Sequence, residues 1–217
     1  MSDSYVAGDR PISDVPRTTE QAEAAGVVRA VSRRYGPPAS WWGIVMLIAS
    51  EGTLFGAFIG TYYFLRFKTL HWPPPGIPEP KVVVPLILVG CLAVTSVPMQ
   101  LASRAAHRGR LAATRLFLVA ALVVQCGYFA FEMHDFQDQL RDFTPTTNAY
   151  GSIYYTLLGA DHAHVFMGLL FNLWLLWKLA RGLTTYRVNA VQAIAWYWHA
   201  VNLLTLIVIG TLLSPAI

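Results

Sequence analysis

The chain has 217 residues, of which 55% are hydrophobic and 13% charged, and its mean hydropathy is +0.45. Soluble domains carry about 25% charged residues, so this composition excludes an ordinary water-soluble globule and indicates a polytopic membrane protein. The formal net charge of +4 does not indicate a nucleic-acid partner, because the basic residues cluster in the segments that set membrane orientation.

The first 40 residues differ from the rest of the chain. They are polar, mixed in charge and without an apolar core, so they do not resemble a secretory signal peptide. We predict a largely disordered cytoplasmic tail over residues 1–40 and a membrane domain over residues 41–217. The first hydrophobic helix is then expected to serve as an uncleaved signal anchor.

Five hydrophobic segments are long enough to cross a bilayer as helices. They are residues 41–67, 82–103, 113–134, 152–179 and 191–213. Consecutive prolines in "HWPPPGIPEP" end the first helix before the second begins. The predicted fold class is all-α, a polytopic membrane bundle of five transmembrane helices.

The distribution of Lys and Arg predicts the orientation of this bundle. Twelve of the 16 basic residues lie in the N-terminal tail and in the second and fourth loops, and four lie on the other side. Basic residues concentrate in cytoplasmic segments. We therefore expect a cytoplasmic N-terminus and a C-terminus outside.

Glu51 lies in the middle of the first hydrophobic segment. It follows Trp41 by ten residues, which is about 15 Å along a helix, and a charged group at that depth costs roughly 2.5 kcal/mol or more. Gly52, Gly56 and Gly60 form a smooth face that lets another helix approach. We therefore expect this helix to be buried between neighbours, with Glu51 either proton-active or a protonated carboxyl hydrogen-bonded across helices.

The fourth and fifth segments carry polar residues at membrane depth. Asp161 and His164 are three residues apart and share a helix face, whereas His162 does not lie on the face of His164; His199 and Asn202 also share a face. We predict that Asp161, His164, His199 and Asn202 form one polar cluster. Three uses remain open, namely a hydrogen-bond network, a proton route, and ligation. Ligation means haem held by His164 and His199, or a non-haem iron or zinc site that adds Asp161.

The third segment ends in acidic residues. Glu132 and Asp135 share a face at the outer interface, and they form either a solvated helix end or a docking surface for a partner or lipid headgroups. The two cysteines are far apart and have no zinc-like spacing, so we predict no thiolate metal site. Signatures of soluble catalysis such as a P-loop or HExxH are absent from the sequence.

Several motifs occur in the order and spacing of one known family. They are "SEGTLFGAFIGTYYFLR", "WPPP", "FEMHDF", "YGSIYYTLLGADHAHVFMG" and "WYWHAVN". Residues 41–217 resemble subunit III of haem–copper terminal oxidases in its short, five-helix form. The tail lies outside this resemblance.

The resemblance implies a non-redox accessory subunit in a bacterial cytoplasmic membrane, with no catalytic residue of its own. It implies packing on the haem–copper subunit I beside subunit II, haem and copper only in those partners, bound phospholipid, and support of proton uptake and of stability during turnover. Glu51 corresponds to the carbodiimide-reactive carboxyl, Glu132 and Asp135 to an acidic pair on the third helix, and His164 and His199 to family histidines.

Two positions depart from the family pattern. The family often has histidine at the position of Asp161 and aspartate at that of Asn202, so the acidic residue expected beside His199 comes from the fourth segment instead of the fifth. Other readings are subunit III of a quinol oxidase, a homologue associated with nitric oxide reductase, a stand-alone proton channel or transporter, and a membrane cytochrome b.

Overall fold

The computed structural model of the protein describes residues 39–215, with side chains from residue 41 onwards. Within that range the chain is α-helical and contains no β-strand, which confirms the all-α prediction for this part. The helices are α1 (Ala39–Phe67), α2 (Val83–Val94), α3 (Ser96–His107), α4 (Leu111–Asp142), α5 (Ala149–Leu179) and α6 (Thr185–Leu213). The predicted tail lies outside the described residues, except that residues 39 and 40 begin α1.

The second predicted segment is divided into α2 and α3 at Thr95. Pro98 causes this interruption, since it has no amide hydrogen for the carbonyl of Val94 and its ring crowds that carbonyl. The Thr95 hydroxyl donates to the Leu92 carbonyl and accepts a hydrogen bond from the Trp198 indole of α6. The buried junction therefore has its own hydrogen-bond partners.

Helix α4 extends eight residues beyond the predicted end at residue 134. Its last turns are polar, and they are supported by contacts between residues one helical turn apart. The Gln139 amide donates to Asp135 Oδ2 at 2.6 Å, and Arg141 lies 3.4 Å from Asp138. The loop to α5 is consequently short, and Asn148 caps α5 by accepting from the Gly151 amide at 2.9 Å.

Four helical segments are long and apolar enough to cross a membrane. They are Trp41–Phe67, Val83–His107 (α2 and α3 together), Leu111–Asp142 and Thr185–Leu213. These agree with four of the five predicted segments. Helix α5, 31 residues long, is not among them, and it carries Asp161, His162, His164 and Asn172 along its length.

Helix α6 is the centre of the packing and contacts α1, α2, α3 and α5. Trp198 of α6 is fully buried, and its ring lies so close to Gly168 of α5 that even a β-carbon there would overlap it. Helix α1 packs only on α5 and α6 among the described helices. Much of its surface is therefore open, including Met46 and Phe64.

Candidate functional site

Glu51 of α1 pairs with His164 of α5. Glu51 Oε2 lies 2.7 Å from His164 Nε2, and the two side chains are 23% and 17% exposed. The Phe55 ring packs edge-on against the imidazole with centroids 5.2 Å apart, and the Tyr197 hydroxyl donates to the His164 carbonyl at 2.9 Å. The site thus lies where α1, α5 and α6 meet.

The hydrogen bonds of His164 determine how many protons the pair holds. Nδ1 is 2.6 Å from the Ala160 carbonyl oxygen, which can only accept, so Nδ1 carries a hydrogen. One further proton lies between Nε2 and Glu51 Oε2. Whether that proton sits on the carboxyl or on the imidazole, the pair as a whole has no net charge. This neutrality reduces the cost of placing a carboxyl in an apolar helix.

The surroundings of Glu51 differ from the sequence-based expectation of a helix buried between neighbours. Its partner comes from the same chain, and no atom lies within 4 Å of an ideal β-carbon at Gly52, Gly56 or Gly60. All three glycines are exposed. An intrachain histidine, rather than close helix packing at the glycines, accounts for the carboxyl in this structure.

The four residues of the predicted polar cluster do not share one set of hydrogen bonds. The two members on α5 already have different partners. Asp161 is fully buried, and its Oδ1 accepts from the Thr205 hydroxyl of α6 at 2.8 Å. His164, one turn further along, points to α1 instead. The two residues share a stretch of helix but have different partners.

His199 and Asn202 of α6 face the α2–α3 junction. His199 Nε2 lies 3.3 Å from Gln100 Oε1, and the Asn202 amide donates to Ser96 Oγ at 2.6 Å. No hydrogen bond among the described residues joins either one to the two α5 members. Helices α5 and α6 do meet, as expected, but the four side chains do not form one network.

The histidines considered as haem ligands therefore have separate surroundings. The Nε2 atom of His164 is directed to a carboxylate oxygen of α1, and that of His199 to an amide oxygen of α3. Over residues 39–215, no three Asp, Glu, His or Cys side chains are grouped closely enough to hold a metal ion. The expectation of haem and copper concerns partner subunits, not these residues.

Glu132 and Asp135 of α4 lie beside one small cavity of about 30 Å³, which His162 of α5 also lines. Glu132 is 6% exposed. Asp135 accepts from Gln139, whose Oε1 in turn accepts from the Tyr154 hydroxyl at 2.6 Å. The acidic pair thus belongs to an internal polar cleft between α4 and α5 as well as to the helix end.

Sequence reasoning missed several buried polar contacts. Gln125 and Asn172 are fully buried, and the Asn172 amide donates to Gln125 Oε1 at 3.0 Å between α5 and α4. Both are amides inside apolar segments, the same signal that singled out Glu51. His162 was set aside because it does not lie on the face of His164, although it is 5% exposed and lies in the cleft with Glu132.

Sequence comparisons with known proteins identify the family of this chain. The family described as cytochrome c oxidase subunit III matches residues 38–212. This chain belongs to the cytochrome c oxidase subunit III family. The match includes all six helices except the terminal residue of α6, and every site residue discussed above, and it confirms the resemblance found in the sequence motifs.

Relatives named cytochrome c oxidase subunit 3 occur in bacteria and animals. The Synechocystis sp. protein is 25% identical over 173 residues, covering 79% of this chain and 73% of the relative. The Bacillus subtilis protein is 27% identical over 165 residues, covering 74% and 78%. The Petromyzon marinus protein is 27% identical over 172 residues, covering 76% of this chain and 65% of its own length. This member of the subunit III family thus spans slightly less than two thirds of the lamprey relative.

Proposed function

We propose that this chain is a non-redox accessory subunit of a proton-pumping haem–copper terminal oxidase of the cytochrome c type. The family match over residues 38–212 carries the proposal. In this proposal subunit I is its main partner, beside subunit II, and those partners hold the haem and copper. The chain itself retains phospholipid and supports proton uptake and enzyme stability during turnover in aerobic respiration.

The proposed topology has five crossings in a bacterial cytoplasmic membrane, with the N-terminus in the cytoplasm. Helix α5 is the crossing that hydropathy alone does not support. Several of its polar groups have partners on neighbouring helices, Asp161 on α6 and His164 on α1. Because these partners come from inside the bundle, α5 is compatible with an apolar bilayer. The excess of Lys and Arg in the N-terminal tail and in the second and fourth loops supports the proposed orientation.

The Glu51–His164 pair is the proposed proton-active element. It holds one shared proton without net charge, and the proton can move between Oε2 and Nε2 across 2.7 Å. Both side chains are partly exposed at the edge of the bundle. A group in this position is suited to exchange a proton with a neighbouring subunit or lipid headgroup while the rest of the bundle stays unchanged.

The open surface of α1 is the proposed contact with subunit I. Gly52, Gly56 and Gly60 lie on it without any atom within 4 Å of their β-carbon positions. Small residues at four-residue spacing allow close helix approach in membranes. The same surface carries large apolar side chains, including Leu54 and Phe64.

Purification of the tagged full-length chain in mild detergent tests the proposal. We expect a large haem-bearing chain to copurify, and we expect Gly56→Leu to weaken this association. Gly127→Leu is a matched control, because Gly127 on α4 is also exposed and also has no atom within 4 Å of its β-carbon position. A native particle that contains this chain alone would contradict the proposal.

The other functions considered from the sequence give different outcomes in the same preparation. Oxidation of quinol instead of reduced cytochrome c identifies a quinol oxidase subunit, and nitric oxide reduction identifies the reductase-associated homologue. Proton flux through the isolated, reconstituted chain identifies a channel or transporter. A Soret band of the isolated chain that is lost in His164→Ala identifies a cytochrome b.

A further inference from the structure

The cavity between α4 and α5 contains two buried polar atoms without partners. Among the described residues, Glu132 Oε2 and His162 Nε2 have no hydrogen-bond partner, and neither has the Tyr128 hydroxyl beside Glu132. Both Glu132 and His162 line the cavity of about 30 Å³. Both side chains are more than nine-tenths buried. Unpartnered polar atoms of this kind are costly unless something else occupies the space between them.

The hydrogen bonding of His162 fixes what its free nitrogen can do. Nδ1 lies 2.6 Å from the Leu158 carbonyl oxygen, which can only accept, so Nδ1 carries the hydrogen of a neutral ring. Nε2 then has a lone pair for a donor, or donates itself once the ring is protonated. Glu132 has the matching choice, accepting when ionised and donating when protonated. The two groups suit a ligand that both donates and accepts.

The cavity has the size and lining for water. A cavity needs about 10–15 Å³ to hold one water molecule, so this one accommodates about two. Asp135, Gln139 and Tyr154 supply further polar groups on its wall, while Pro85 and Ile209 close the apolar side. Water makes about three hydrogen bonds when buried, and this wall offers that number.

A second, wider cavity adjoins this space on the side of the loop end of the bundle. It has a volume of about 70 Å³ and carries the charged residues Glu79, Lys81 and Asp142. Four residues belong to both cavities, and they are Pro85, Gln139, Tyr154 and Ile209. The two cavities therefore adjoin at these residues, and we term them together the α4–α5 cleft.

We infer that the α4–α5 cleft is a water-filled half-channel that ends at a proton-binding site formed by Glu132 and His162. A proton delivered by a buffer acid at the loop end passes along the hydrogen-bonded water to Glu132 Oε2 or His162 Nε2, and it returns by the same route. One proton moves and no electron is transferred. This site is separate from the Glu51–His164 pair and does not require the proposed contact with subunit I.

The ionisable groups around the site come from α4 and α5. Tyr128 and Asp135 are its neighbours on α4, and Asp161 and Tyr154 are those on α5. The walls supplied by α2 and α6 are apolar, with no ionisable side chain.

Hydroxyl-radical footprinting of the full-length chain in its native membrane assembly tests whether the cavity contains water. Leu158 lines the cavity and Leu157 does not, although both are buried, so they form a matched pair. We expect oxidation of Leu158 to be several-fold faster than that of Leu157. Equal rates for the two leucines would show a dry cavity and overturn the inference.

Infrared spectroscopy tests the proton site in the same preparation. We expect a carboxyl band that shifts in D₂O and follows the pH of the medium, that is lost in Glu132→Gln, and that persists in Glu51→Gln. A hydrated cavity whose Glu132 carboxyl neither titrates nor exchanges would also overturn the inference. Neither result depends on copurification with an oxidase, so the proposed function is tested separately.

Discussion

Two glutamate–histidine sites lie on opposite sides of α5, and they differ in whether the glutamate contacts the histidine directly. In the first, Glu51 and His164 approach to 2.7 Å; in the second, Glu132 and His162 face one cavity but have no direct hydrogen bond. Each histidine directs Nδ1 to the carbonyl four residues earlier on α5. The same local geometry therefore serves both sites.

The presence or absence of this direct hydrogen bond determines how each carboxyl is accommodated inside the helix bundle. The first pair is complete within the chain and needs no third group to neutralise it. The second depends on what fills the cavity, because its unpartnered atoms otherwise lose hydrogen bonds that they make in water. Identical residue types thus give one closed pair and one site that remains open to small molecules.

Replacing His164 with alanine is the strongest way to break the first site. Glu51 loses its hydrogen-bond partner in a partly buried, apolar setting, and we expect the free energy of unfolding to fall by roughly 2–3 kcal/mol, the upper part of the range for a polar group left without its partner. Denaturation of the purified chain in detergent measures this. The double variant Glu51→Leu, His164→Leu should recover most of the loss, whereas an additive loss would contradict direct pairing.

His199→Ala is the control for that measurement. Its imidazole makes one long hydrogen bond of 3.3 Å, so we expect a loss of about 1 kcal/mol or less.

Carbodiimide labelling compares the two carboxyls directly. We expect a hydrophobic carbodiimide to modify Glu51 and leave Glu132 largely unmodified, because Glu51 is 23% exposed at the bundle edge and Glu132 lies behind a cavity too narrow for the reagent. Mass spectrometry of the two peptides measures the ratio. Equal labelling would mean that the cleft opens more widely than the structure indicates.

Thr205→Val tests the polar contact between α5 and α6. The substitution conserves shape but removes the hydroxyl that donates to Asp161 Oδ1 at 2.8 Å. We expect a loss of about 1–2 kcal/mol, since the aspartate is buried and its Oδ2 has no partner. Thr205→Ser, which keeps the donor, separates loss of the hydrogen bond from loss of volume; an equal effect of both changes would contradict the assignment.

Glu51→Gln should have the smallest effect on stability of these changes. The amide can donate to His164 Nε2 in place of the carboxyl proton, so we expect a change below about 1 kcal/mol and normal assembly. Proton uptake, or endurance under turnover, should nevertheless decline in the oxidase, because the amide cannot exchange the shared proton. Unchanged pumping and lifetime would assign the carboxyl a structural role only.

Much of the fold followed from local sequence features. Hydropathy predicted five membrane-crossing helices, of which four are long and apolar enough in the structure, and the motif order predicted the family. The division at Thr95 was missed because Pro98 was not weighed inside an apolar run. The polar extension of α4 was missed because hydropathy reports the apolar part of a helix, not the hydrogen-bonded turns beyond it.

The candidate sites were less predictable than the helices. Glu51 and His164 were both identified, but in different sites, and Asp161, His199 and Asn202 were grouped although they have separate partners. The glycine face, predicted to contact a neighbouring helix, has no described atom within 4 Å of its β-carbon positions, and its contact with a partner subunit stays a prediction. His162 was set aside, and it lines the cavity with Glu132.

The sequence by itself determined where the main helices lie and which polar groups lie inside apolar segments, since both depend on neighbours along the chain. Only the tertiary structure decided which glutamate meets which histidine. Helical periodicity fixes the angle of a side chain about its own axis, but it leaves the rotation and the axial offset of the neighbouring helix undetermined. The donor–acceptor distance of a hydrogen bond varies by only a few tenths of an ångström, while each residue advances the helix by 1.5 Å. A shift of one residue between two helices therefore changes which side chains can pair.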